Sequence, residues 1–157
     1  MELEGTHDAA GYRFAVIVAR FNQEITEGLL KGARQVLEEA SVSGEDITLL
    51  RVPGAFELPI AALRVAESAQ FDAVICLGCL IKGDTMHFEY IAAAASQGIM
   101  DAAQATGIPI TFGLLTTLTE EQAAARSVEG PDNKGREAAL AAVEMATLFR
   151  AMQGSGA

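Results

Sequence analysis

The chain has 157 residues, half of them hydrophobic and one-fifth charged, with 21 acidic against 11 basic side chains and a formal net charge of −10. That length fits one core, the apolar share excludes a disordered chain, and the acidic excess removes the basic footprint that captures nucleic acid or an anionic membrane. The start, MELEGTHDAAGYR, has no basic run followed by an apolar stretch, and no segment reaches the roughly 18–20 uninterrupted apolar residues of a membrane span, so a cytoplasmic protein is expected.

Residues 1–12 are expected to form an N-terminal extension. The first strand is RFAVIVA (13–19), followed by the loop Arg20-Phe21-Asn22 and a helix with Ile25, Leu29, Val36 and Ala40 on one stripe. ITLLRV (47–52) is the second strand, leading through Pro53-Gly54-Ala55-Phe56-Glu57 into a helix with Leu58, Ala62, Val65 and Ala66 on its apolar face. AVICLGC (73–79) is the third, followed by residues 80–87 and a helix carrying Phe88, Ile91, Ala95, Ile99 and Ala102. The fourth, IPITFGLLT (108–116), precedes a short helix opened by Thr119 with Gln122 three residues on, the spacing of a capping box. Gly130 and Pro131 break the chain before a last helix over about 134–151, and residues 152–157 read as a frayed tail. No internal repeat, linker or low-complexity tract interrupts this order, and a single domain over 1–157 is expected.

The four apolar runs are continuous rather than alternating, which predicts strands buried on both faces. Their alternation with helices predicts right-handed crossovers and an α/β fold with a central parallel sheet between two helical layers. In such sheets ligands bind beyond the carboxyl ends of the strands, where loops meet the positive N-termini of the following helices. The four strand-to-helix loops are therefore the candidate site.

The third of these loops is the most informative. Lys82-Gly83-Asp84-Thr85 precedes a helix, so Gly83 lets the backbone come close to a ligand while first-turn amides point outward, an arrangement that binds phosphate. No G-x-x-x-x-G-K-[ST] or G-x-G-x-x-G pattern accompanies it, which argues against nucleoside triphosphates and dinucleotides. His87 falls in or near the first turn, where the helix dipole favours a neutral imidazole able to accept or relay a proton. A lone histidine is more often packed or solvated than catalytic, but its place beside an anion-binding turn reverses that balance.

Phe21 and Phe56 follow strands directly, and each offers a flat face to a heterocycle or simply fills the core. Phe112, in the middle of an apolar run, reads more strongly as a core residue. Arg126 at a helix end fits either a phosphate clamp or a solvated arginine favoured by the dipole, and Lys82 and Lys134 share that ambiguity. Glu57, at a helix start, is electrostatically favoured there without any further role. Cys76 and Cys79 have C-x-x-C spacing, but a zinc site needs two more ligands and His7 and His87 are the only histidines. Both cysteines lie inside an apolar run, so buried thiols are the preferred reading.

RFNQEIT after the first strand, VPGAFELP after the second, GCLIKGDTMHFEYI after the third, FGLLTT in the fourth and NKGREAALAAVEM at the last helix resemble lumazine synthases in order and spacing, over residues 13–149. The resemblance implies a flavodoxin-like three-layer αβα sandwich. It also implies a transferase of riboflavin biosynthesis that condenses 5-amino-6-(D-ribitylamino)uracil with 3,4-dihydroxy-2-butanone 4-phosphate to 6,7-dimethyl-8-ribityllumazine, releasing phosphate and water without metal or organic cofactor. By the same resemblance His87 is the general acid/base and Phe21, next to Asn22, stacks on the pyrimidine. Ala55-Phe56-Glu57 and Cys79-Leu80-Ile81 line the ribityl-uracil site, Phe112 closes it, and Asp84, Thr85, Arg126 and Lys134 serve the phosphate.

The implied partners are these two small molecules, further copies of the chain in a pentamer or a sixty-subunit shell, and riboflavin synthase. Two departures stand out. Shell-forming members resemble G-T-K-A-G before N-K-G where this chain reads V-E-G-P-D, and Cys79 and Met86 replace other small or polar residues. The alternative reading is a non-catalytic flavin- or lumazine-binding or shell-forming relative, against which the joint presence of His87, Arg126 and Phe21 argues. An unrelated flavodoxin-like carrier lacks support from a Ser/Thr-rich phosphate loop after the first strand.

Overall fold

The computed structural model describes residues 1–154. Its elements alternate as expected: β1 (Phe14–Ala19), α1 (Gln23–Glu39), β2 (Ile47–Val52), α2 (Leu58–Glu67), β3 (Ala73–Ile81), α3 (His87–Thr106), β4 (Ile110–Thr117), α4 (Glu120–Ala125) and α5 (Lys134–Gly154). The strands form one parallel sheet in the order β2-β1-β3-β4. The result is a three-layer, flavodoxin-like α/β sandwich.

Side chains alternate across the sheet with period two, and the two central strands show why their sequences are apolar throughout. Phe14, Val16 and Val18 of β1 join Ile75 and Leu77 of β3 in a core closed by Leu29, Val36, Ala139 and Val143 of α1 and α5. Ala15 and Ile17 join Val74 and Cys76 on the opposite face, under Leu58 and Ala62 of α2 and Ala95 and Ile99 of α3. Each fully buried large side chain here contributes on the order of 1.5–3 kcal/mol.

Burial on both faces does not extend to the edges. β2 leaves Thr48 and Arg51 exposed, and the opening residues of β4 are only partly covered. Phe112, expected in the core from its place mid-run, is 49% exposed. An edge strand lacks a neighbour on one side, and the helical layer does not reach across it at this point.

The capping box at Thr119 forms in shifted form. Thr119 Oγ1 accepts from the Gln122 amide at 3.1 Å, but the Gln122 side chain accepts from the Leu118 N–H at 2.8 Å rather than from Thr119 itself. The chain then breaks over 126–133, where Gly130 takes a positive φ of 131°. α5 continues to Gly154, beyond the expected end at 151, so residues 152–154 of the expected frayed tail prolong the helix; 155–157 lie outside the described residues. Residues 1–12 run back along α5, with the Thr6 amide donating to Thr147 Oγ1 at 2.8 Å and buried Ala9 donating to the Ala40 carbonyl at 2.9 Å.

The strand order creates the place for a site. After β1 the chain leaves towards the α1–α5 layer, and after the adjacent β3 it leaves towards the α2–α3 layer. A crevice must open between the two carboxyl ends, at the point where the connections diverge.

Candidate active site

The crevice begins at Asn22, which caps α1 in the left-handed region (φ 60°) but makes no side-chain capping bond. Its amide nitrogen instead donates to the Cys79 carbonyl of β3 at 2.8 Å. Asparagine tolerates this backbone region better than most residues, and its side chain here ties the β1 loop to the end of β3. The tie leaves Phe21 67% exposed over the crevice. Beyond β2, Gly54 precedes a single 3₁₀ turn, Ala55–Glu57, in which Phe56 is turned out to 61% exposure. Two large aromatics are thus displayed at strand ends and take no part in the core, which holds its own Phe14.

α3 supplies the third wall. Met86 precedes its first residue, His87, and provides no side-chain cap; the only side-chain help is a 3.4 Å approach of the His87 N–H to Thr85 Oγ1. The start of a long helix therefore keeps positive potential and amide donors for an anion. Gly83 stands where an added Cβ would meet nothing within 4 Å, so internal packing does not require glycine there and the space above it is open. Lys82 is held by Glu89 at 3.3 Å. The His87 side chain makes no hydrogen bond within the described residues and is exposed.

These groups meet in one depression of about 710 Å³, lined among others by Phe21, Phe56, Glu57, Ile81, Thr85 and His87. It has the size and apolar aromatic walls of a small-molecule site. Ala55 and Leu80 also line it, whereas Asp84 does not. Cys79 is 2% exposed with its thiol in the α1–α5 core, so at the crevice only its backbone is engaged, through Asn22.

The remaining candidates lie elsewhere. Phe112, Arg126, Lys134 and Glu137 share a second depression, beside the outer strand β4, that has no lining residue in common with the first. There the exposed Arg126 guanidinium donates to the Gln122 carbonyl of its own helix at 2.9 Å, and Lys134 pairs with Glu137 at 2.7 Å. One chain thus carries an aromatic and histidine group and a cationic group, set apart from each other.

A family model described as 6,7-dimethyl-8-ribityllumazine synthase matches residues 11–150. Two curated relatives bear the same name: one from Salinibacter ruber, 46% identical over 152 residues covering 97% of each chain, and one from Syntrophus aciditrophicus, 50% identical over 147 residues covering 94% of this chain and 96% of the relative. The chain belongs to the 6,7-dimethyl-8-ribityllumazine synthase family.

For a lumazine synthase the sequence overlooked several lining residues. Phe88 and Ile91 line the first depression although their helical period assigns them to the core stripe; both are only partly buried, and Ile91 stands one turn after His87, the spacing that could have revealed it. Glu137 was missed, yet it lies three residues after Lys134 on the same helix, again a legible spacing.

The two thiols are structural. Positions 76 and 79 differ by an odd number along a strand, so they face opposite layers and cannot share a metal or form a disulfide. Burial pushes Cys76 up to about 12 and Cys79 up to about 11. At pH 8 both stay protonated, and since the thiolate is the nucleophile, a thiol reagent should find none in the native protein and two in denaturant. Rapid modification of the native protein would contradict this burial.

Proposed function

We propose that the chain is an active lumazine synthase, condensing 5-amino-6-(D-ribitylamino)uracil with 3,4-dihydroxy-2-butanone 4-phosphate to 6,7-dimethyl-8-ribityllumazine in riboflavin biosynthesis. The observation that carries this reading is His87, without a side-chain partner among the described residues at the start of α3, in the same depression as two displayed aromatics. The uracil ring lies against Phe21 and Phe56, with Ala55, Glu57, Leu80 and Ile81 along the ribityl chain. The phosphate is taken by Thr85, the first-turn amides of α3, Arg126 and Lys134.

The chemistry needs few groups. Attack of the aromatic amine on the ketone, loss of water, elimination of phosphate and ring closure with a second dehydration are limited by alignment and proton transfer rather than by a strong nucleophile. His87 moves those protons. The cationic residues fix the leaving phosphate against the repulsion of a chain with net charge −10.

The separation of the two groups supports a site shared between neighbouring copies. His87, Phe21 and Phe56 come from one subunit, and Phe112, Arg126 and Lys134 from the next, around a closed five-fold ring. The stretch Val128–Asp132 keeps the length of the shell-type loop, which favours a sixty-subunit shell over an isolated pentamer. Assembly, a cytoplasmic location and contact with riboflavin synthase all belong to this reading; among the described residues no helix is long and apolar enough to cross a membrane.

Purified protein given both substrates should produce the absorbance and fluorescence of the lumazine. The activity should elute at about 83 kDa or about 990 kDa, for five or sixty copies of a 16.5 kDa chain. Absence of lumazine above the uncatalysed rate would sink the enzymatic reading, and activity at monomer mass would sink the shared site.

A further inference from the structure

Asn133 is 1% exposed, in a chain with few buried polar side chains, and its position is not explained by the start of α5 alone. Its Nδ2 donates its two hydrogens among three carbonyl oxygens, one hydrogen being shared: Gly28 of α1 at 3.1 Å, Ser127 at 3.1 Å and Val128 at 3.0 Å. Its Oδ1 accepts from the Arg136 amide at 3.0 Å and so caps α5. One carboxamide therefore joins three segments: α1, the end of the α4 turn, and the first turn of α5.

α1 is notched to receive it. A Cβ on Gly32 would sit 2.2 Å from Asn133 Oδ1, and a Cβ on Gly28 would sit 2.4 Å from the Ser127 carbonyl oxygen. The loop it holds has little else to fix its path: Val128 is 58% exposed, and Glu129, Pro131 and Asp132 face solvent. A segment with so few apolar contacts takes its geometry from its hydrogen bonds.

The two cations of the second depression flank this junction. Arg126 immediately precedes Ser127, Lys134 immediately follows Asn133, and the Lys134 amide donates to the Arg126 carbonyl at 2.9 Å. We infer that Asn133 is a positioning residue for phosphate binding, its buried carboxamide fixing the loop between α4 and α5 so that Arg126 and Lys134 face one anion together. This rests on the reading of Arg126 and Lys134 as phosphate-binding residues. Bidentate pairing is demanding in angle, so a cation on a loosened loop loses much of its grip even though its charge remains.

The test uses the full-length assembled protein. Asn133→Asp keeps shape and the helix cap but turns the donor into an oxygen facing three carbonyl oxygens; Asn133→Ser, which keeps one donor, serves by the same criteria if the first does not fold. The KM for the butanone phosphate and the inhibition constant of inorganic phosphate should each rise about tenfold, with the KM for the uracil changing less than about twofold. In a background lacking both cations, Arg126→Ala with Lys134→Ala, the same substitution should add less than about twofold, because the residues being positioned are gone. Unchanged phosphate parameters, or equal rises for both substrates, would overturn the inference and leave Asn133 as a packing residue. Were Arg126→Ala and Lys134→Ala each without effect on the butanone phosphate, the phosphate reading would fail first, and Asn133 would have nothing to position.

Discussion

His87→Ala is expected to lower kcat by about 10²–10⁴-fold, the contribution typical of a positioned general acid–base group, while affinity for a uracil analogue changes only about two- to threefold. The imidazole stands at the first residue of α3, exposed in the aromatic depression, with no hydrogen-bonding partner among the described residues. Both ring nitrogens are thus available to substrate, and no structural bond is lost with the ring. The uncatalysed condensation sets a floor, so single-turnover lumazine formation at saturating substrate is the measurement to use. Turnover equal to that of the unaltered protein would remove His87 from the mechanism.

Arg126→Ala is expected to raise the KM for the butanone phosphate about 10- to 100-fold, the range set by losing hydrogen bonds to a charged group worth about 1.5–3 kcal/mol. The uracil substrate carries no phosphate, and its KM should move by less than about threefold. Among the described residues the Arg126 guanidinium donates only to the Gln122 carbonyl of its own short helix, an exposed bond that a dianion can replace at little cost. Arg126→Lys should recover part of the loss, since charge returns without the planar fork. Equal losses for both substrates would point to a folding or assembly role.

The interior of this fold was legible because burial on both faces writes itself into β1 and β3 as uninterrupted apolar residues. The edges were legible only in part. ITLLRV carries Thr48 and Arg51, the two residues that β2 leaves exposed, but nothing in IPITFGLLT says that its strand will lack a neighbour. Phe112 was misjudged as core for that reason, although the resemblance of its surroundings marked it for the site. That Phe21, Phe56 and His87 would meet in one depression could be read from three loops because parallel strands bring their carboxyl ends together. The separation of the cationic group could not be read from the chain's own spacing, since only strand order places β4 and the α4–α5 break at an outer edge. Asn133 carried no signal beyond a helix start, because its partners lie up to 105 residues away.

The central claim, a lumazine synthase site completed by a neighbouring subunit, is tested most directly by mixing two impaired variants, assayed at a butanone phosphate concentration far below the raised KM of Arg126→Ala, where neither variant alone has appreciable activity. His87→Ala subunits retain Arg126, and Arg126→Ala subunits retain His87. Co-expressed in equal amounts and assembled at random, they should regain about a quarter of the unaltered activity, because one neighbour pairing in four brings both intact halves together. A mixture no more active than the two variants assembled separately would contradict the shared site.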